Sequence, residues 1–544
     1  MKKTVTLVLI LFNAFLWMGC TMKHQAELIL FNGKIYSVDK NNNCFEAMAV
    51  AQGKIMGTGT SSTILKKYAG VPSIDLGGKT VYPGFIDAHC HFLGYAMNQQ
   101  FVDLNGCHSF DEVLERLKSR LPLHPGAWLT GRGWDQNLWA VREFPGKAQL
   151  DQLFPKNPVV LIRVDGHSVL CNQEALNRSG IGFSHAFKRG EVGVRNGQLT
   201  GILSETAADS MRARIPLPVP SQQQALILQA QQKCFAVGLC MVSDAGIDAG
   251  EVELIRSLQE SGMLHLRVYA MLNPTPENMK VYIGKGPLLT DKLFVRSIKL
   301  YADGSLGSRT ALLKKPYTDD PLISGIRVIE PDSARTICAL ALQNGYQVNT
   351  HCIGDSAVRL MLEIYAGLLK GKNELRWRIE HAQVVDPADF HWFGDYSIIP
   401  SVQATHATSD MNWAIERLGA GRLKGAYAYK TLLQQNGWLP NGTDFPIENI
   451  SPLLTFYAAV ARQDLDGLPP TGFMAENALT REEALRSITI WAAKAGFSEK
   501  ENGSLEPGKN ADFVILDGDI MTLPLAAIPS VKVIATYIDG VKVH

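Results

Sequence analysis

The residues of this chain that could do chemistry are a few histidines, one lysine and one aspartate, each near the end of a strand-like run. Pro83-Gly84-Phe85-Ile86-Asp87-Ala88-His89-Cys90-His91 opens the set. Residues two apart on a strand point to one face, so His89 and His91 project together, as two imidazoles on one metal must. A lone His-x-His pair arises often by chance. Further candidates close later runs: Lys299 in Ile298-Lys299-Leu300-Tyr301-Ala302-Asp303, His351 after Val348-Asn349-Thr350, His381 after Arg378-Ile379-Glu380, and Asp444 in Gly442-Thr443-Asp444-Phe445-Pro446. Singly they read as satisfied core histidines, a solvated lysine and a turn aspartate. Jointly they read as one metal site. A metal bound there would lower the pKa of its water toward about 7 and polarise a substrate carbonyl. Beside cations Asp444 would stay ionised, accept the water's proton and pass it to a leaving group.

These residues need a frame that gathers distant strand ends. The candidate strands are Val81–His91, Leu239–Asp244, Leu266–Leu272, Ile298–Asp303, Gln347–His351, Arg378–His381, Ile398–Gln403 and Trp438–Asp444. Amphipathic stretches such as Pro331–Asn344 and Asp355–Lys370 lie between them. Alternating strands and helices imply an α/β fold with a parallel sheet, and eight such strands close naturally into a (β/α)8 barrel whose functional face is the C-terminal one. A doubly wound open sheet is the alternative, but no Gly-rich phosphate loop supports it. The interval from Phe92 to about Gly238 is too long for a loop and carries strand-like runs of its own. It is expected to be an insert subdomain, about 92–237, at the mouth of a barrel spanning 81–504. Trp134, Trp139 and Phe144 would there form an apolar rim or simply pack the insert. Residues 26–80 and 505–544 both read as short strands separated by glycine turns, and are expected to build one small β-sandwich from the two chain ends.

Composition bounds the remainder. A hydrophobic content of 46% with 19% charged residues is that of a folded globular protein, and a net charge of +1 gives no reason to expect nucleic acid as a partner. Lys2 and Lys3 precede the apolar run Val5 to Trp17, too short for a comfortable membrane span, which reads as an export signal over residues 1–20. Gly19-Cys20 resembles the end of a bacterial lipobox, with lipid carried on Cys20; Trp17 departs from that pattern, and simple cleavage near Gly19 is the alternative. The expected location is the cell envelope, lipid-anchored or periplasmic. The nine cysteines are scattered rather than framework-spaced, so buried free thiols are expected.

Taken whole, the motifs resemble the amidohydrolase superfamily, specifically its YtcJ-like (amidohydrolase 3) branch, which includes N-substituted formamide deformylases. The resemblance is carried by the His89-Cys90-His91 opening, Lys299 through Arg309, His351-Cys-Ile-Gly-Asp355, Arg378-Ile-Glu-His381-Ala-Gln383 and Gly442-Thr-Asp444. Arg163-Val-Asp-Gly-His167-Ser168 and the closing Gly503 through Asp512 add to it. It implies a site of one or two metals, usually zinc: His89, His91 and Asp444 on one, His351 and His381 on the other, and Lys299 bridging them as a CO2-derived carbamate. A single metal on His89, His91 and Asp444, with Lys299 unmodified, is the alternative. His167, Asp303, Arg309 and Asp355 could position substrate. The implied activity is metal-dependent hydrolysis of an amide-like C–N bond of a small molecule. Cyclic amide or ester hydrolysis, deamination, or a non-catalytic ligand-binding barrel are the alternatives. No nucleic-acid partner is implied, membrane contact comes only through a lipid anchor, and a homodimer is admitted.

Overall fold

The computed structural model describes residues 26–121, 124–164, 168–182 and 192–544. The expected export signal over residues 1–20, with Cys20, and His167 lie outside the described residues. Those that are described form two compact units, Leu93–Ala230 and the remainder of the chain.

In the larger unit seven parallel strands lie side by side in chain order: β1 (Phe85–Cys90), β2 (Leu239–Ile247), β3 (Arg267–Leu272), β4 (Leu293–Tyr301), β5 (Gln347–Cys352), β6 (Arg378–His381) and β7 (Ile399–Ser401). Amphipathic helices cross back between them, among them α1 (Pro331–Gln343) and α2 (Asp355–Leu369). The eighth position is taken by residues 440–445. On one side Gly442 N donates to Val402 O (2.9 Å); on the other Asp444 N donates to His89 O (2.8 Å) and His91 N to Phe445 O (2.8 Å). This is a (β/α)8 barrel whose last strand is reduced to a single bridge, Val402 to Asn441. The expected strand Trp438–Asp444 is therefore shorter and less regular than its sequence implied. Gly442 gives the reason: a side chain there would meet His89 N at 2.5 Å and Asp87 Oδ1 at 2.7 Å, so the segment lies hard against β1.

The expected first strand, Val81–His91, is two strands. Thr80–Pro83 joins a six-stranded sheet in the order Val541–Lys542, Val533–Ile538, Phe513–Leu516, Thr80–Pro83, Lys34–Tyr36, Cys44–Phe45, and β1 begins only after Gly84. A Cβ at Gly84 would stand 2.4 Å from Cys240 Sγ, which makes this crossover a point of close approach. A four-stranded sheet (Lys54–Gly59, Ala47–Ala51, Leu28–Phe31, Ser73–Asp75) shares one buried cluster with the six-stranded one, including Leu30, Met48, Val50, Val81, Phe513 and Tyr537.

The unit Leu93–Ala230 is built on its own six-stranded sheet. Along Val159–Arg163, Val159 and Leu161 enter one core and Val160 and Ile162 another, so both sheet faces are covered. Trp134 and Trp139 are buried in the first core, with indole N–H groups donating to Leu161 O (2.9 Å) and Cys107 O (3.0 Å); Phe144 is exposed. The two tryptophans are packing residues. Among the described residues Cys44 is exposed and the other seven cysteines are buried, all as free thiols.

Candidate metal centre

The C-terminal ends of the barrel strands converge on a cavity of about 400 Å³, lined by His91, Lys299, Tyr301, His351, His381, His406, Asp410, Trp413, Asp444 and Glu448 among others. Asp444 is the residue around which the histidines gather. Its Oδ1 lies 3.2 Å from His91 Nε2 and 3.6 Å from His89 Nε2; its Oδ2 lies 3.6 Å from His406 Nε2. The donor atoms of His89, His91 and Asp444 all fall within 4.8 Å of one another, and so do those of His381, His406 and Asp444. Oδ1 of Asp444 and Nε2 of His406 are buried without a hydrogen-bond partner among the described residues. Buried polar atoms are seldom left unpaired, so a cluster of this kind fits a cation. The donor set, imidazoles and a carboxylate, is the chemistry zinc prefers.

The imidazoles are held in a defined tautomer. His89 Nδ1 donates to Glu380 Oε2 at 2.6 Å and His381 Nδ1 to Gln403 Oε1 at 2.7 Å, so each presents an unprotonated Nε2 to the cavity. Burial, together with neighbouring Lys299, holds His89 below the usual histidine range; burial with His351 and His89 holds His381 well below it. Burial and Lys299 lower His351 to about 3. Against the upward pull of burial, His89 and Arg378 hold Glu380 down at about 2. Asp444 is likewise held well below the carboxylate range: burial works upward, and the adjacent His91 with the surrounding histidines outweighs it. Lys299 donates to His89 Nε2 at 3.2 Å, and burial lowers its pKa, which favours the neutral amine.

Backbone strain helps gather these groups. Consecutive strand residues face opposite sides, yet both Glu380 and His381 reach the site. His381 and Ala382 have φ values of 72° and 41°, and this left-handed turn ends the alternation. Asp444 is also left-handed, at φ 61°. Such conformations persist where surrounding contacts enforce them. Asp87 is one enforcer: its carboxylate accepts from Thr443 Oγ1 (2.7 Å) and Thr443 N (3.1 Å), tying the Asp444 segment to β1.

The structure thus brings together His89, His91, Lys299, His351, His381 and Asp444. His351 stands slightly apart in orientation, its Nε2 facing Gly304 O at 3.1 Å. The charged residues expected to meet substrate are differently placed. Asp303 is buried and accepts from Leu312 N (2.9 Å), Ile353 N (3.0 Å) and Gly354 N (2.7 Å). Arg309 forms a two-pronged pair with Asp319 (3.1 and 2.9 Å), and Asp355 accepts from Lys314 N (2.8 Å). None of the three lines the cavity. Sequence reading missed Glu380, Gln403, Asp87 and His406. The first three lie inside or beside the quoted motifs but carry no signal of their own. His406 follows Gln403 by three residues, in the first turn of α3 (Ala404–Asp410). A histidine just past the seventh strand was the available clue.

Comparison with known proteins adds the following. The family described as amidohydrolase family matches residues 73–544. The chain is 30% identical to the Bacillus subtilis (strain 168) protein YtcJ over 95% of this chain and 99% of that one. It is 25% identical to an N-substituted formamide deformylase of Arthrobacter pascens, over 96% and 98%. A crystal structure described as an uncharacterized metal-dependent hydrolase from Pyrococcus horikoshii superposes with a TM-score of 0.77 at 30% identity, covering 92% of this chain and 99% of that one.

Proposed function

The chain belongs to the amidohydrolase family, and on that premise we propose that it is a metal-dependent hydrolase that cleaves an amide-like C–N bond of a small molecule. The observation that carries this reading is the meeting of His89, His91 and Asp444 donor atoms within 4.8 Å, with His91 and Asp444 lining the cavity. In this reading those three residues hold a divalent cation, zinc by donor preference. Lys299, buried and so inclined to the neutral amine, could take up CO2 as a carbamate, and with His381 and His351 it would then hold a second cation. When bound, such a cation polarises a carbonyl and makes water acidic enough to attack near neutral pH. Asp444 accepts the proton of the attacking water and returns it to the leaving nitrogen, a task suited to a carboxylate kept ionised by its histidine neighbours. Glu380 and Gln403 keep His89 and His381 in the ligating tautomer. The similarity to a formamide deformylase supports a small N-substituted amide as substrate.

The test is a hydrolysis screen of the zinc- or manganese-supplemented protein over N-formyl, N-acyl and cyclic amides, with esters and aminopurines alongside. Amide turnover that a chelator abolishes is the expected result. Turnover confined to esters, or ammonia release from the aminopurines alone, would move the chemistry to another branch. No turnover of any kind would favour a ligand-binding barrel. In the same preparation, 13C-bicarbonate should give a carbamate NMR signal that Lys299→Ala removes.

A further inference from the structure

His406 is a buried histidine that the reading above leaves without work. Its Nε2 has no hydrogen-bond partner among the described residues and lies 3.6 Å from Asp444 Oδ2. An ordinary core histidine is expected to be satisfied through its ring nitrogens. Its ring is stacked near that of His381, centroids 5.8 Å apart and planes 15° from parallel. His381 is fixed by Gln403 so that Nε2 faces the same space. Thus His381 Nε2, His406 Nε2 and one oxygen of Asp444 lie within 4.8 Å of one another, with no hydrogen bond between them among the described residues.

The three groups are also held by linked supports. Gln403, which orients His381, stands immediately before α3, and His406 rides in the first turn of that helix. The helix start is pinned by Ala404 N donating to Asn441 Oδ1 at 3.0 Å, and Asn441 belongs to the same closing segment as Asp444. Asp87 then fixes that segment through Thr443. A rigid set of two imidazoles and a carboxylate oxygen, all buried, is a built ligand set.

We propose that His406 is a metal ligand, forming with His381 and Asp444 Oδ2 a second divalent-cation position, while Asp444 Oδ1 serves the His89–His91 position. Asp444 is thereby shared by the two cations through its two oxygens. His351, whose Nε2 already faces Gly304 O, is the lesser contributor to this second position. The inference rests on the metal-dependent reading, and extends the ligand set beyond the six residues that reading uses.

Cobalt(II) titration of the full chain, freed of metal by a chelator and followed by visible absorption and by bound-metal analysis, tests it. The wild type should take up two equivalents. His406→Asn should keep one and bind the other at least tenfold more weakly, and His91→Ala should weaken the opposite one. Apo-protein melting curves of both variants, matching the wild type, exclude misfolding as the cause; should His406→Asn melt early, His406→Gln is titrated in its place. A wild type that binds one equivalent, or two that the His406 variant leaves unchanged, overturns the inference while the metal-dependent reading stands. A wild type that binds none overturns both.

Discussion

The ends of the barrel strands and the loop that follows β4 both carry ionisable residues, and they use them in opposite ways. At and just past the strand ends Asp444 Oδ1 and His406 Nε2 are buried with no hydrogen-bond partner among the described residues. In the loop Asp303 accepts from three backbone amides and Arg309 donates twice to Asp319, while Asp355, at the start of α2, accepts from Lys314 N of that loop. A buried polar atom left open invites a ligand, whereas one whose bonding is complete holds a loop in place. In sequence both regions carry ionisable residues inside quoted motifs, the strand ends as a strong joint pattern and the loop as a weaker one. The state of their polar atoms separates chemistry from scaffolding.

The contrast can be broken by exchanging single atoms. The largest effect is expected at Asp444→Asn. The amide keeps the shape and an oxygen toward the histidines but cannot take a water proton, so turnover should fall by about 10²–10⁴-fold. Bound metal should largely remain on His89 and His91. Near-normal kcat in that variant would remove Asp444 from proton transfer.

Next is Glu380→Gln. Without the carboxylate behind His89, metal affinity should fall by about 10–100-fold, measured by competition with a chelating dye. The same residue has a stability signature in the metal-free protein. Its pKa is depressed from the usual 4.5 to about 2, so its contribution is present above about 4.5 and is lost as pH falls toward 2. Urea unfolding of wild type and Glu380→Gln should therefore converge between pH 4.5 and 2; curves that stay apart would show that the carboxylate acts by packing alone.

The smallest effects belong to the loop. Asp303→Asn turns an amide N–H2 against backbone donors and should lower stability by about 2 kcal/mol, with kcat/KM little changed. Arg309→Ala, losing a partly exposed pair, should cost about 1 kcal/mol or less in the same denaturant assay. A large kcat/KM loss with unaltered stability in either would return that residue to the substrate site.

The same contrast explains what could be read in the sequence. Barrel strands with period-two or continuous apolar texture were legible, as was the gathering of His89, Lys299, His351, His381 and Asp444, because strand ends of a parallel barrel converge whatever the loops do. The joint of Thr80–Pro83 and β1 was not, since a continuous apolar run hides a glycine crossover whose cause, Cys240, lies far along the chain. Nor was the reduced last strand, set by Gly442 packing on β1. His406 escaped because it stands on a helix past the strand end, outside the pattern used to find the others. The partners of Asp303 and Asp355 are 9 to 51 residues away, set by loop folding that no local spacing encodes.

The central claim is that His89, His91 and Asp444 hold a cation, and anomalous X-ray diffraction from zinc-loaded crystals at the zinc edge tests it most directly. The account predicts a peak about 2.0–2.2 Å from His89 Nε2, His91 Nε2 and an Asp444 oxygen. Crystals grown with zinc that show no anomalous peak among these three residues, from protein that still hydrolyses its substrate, would contradict it.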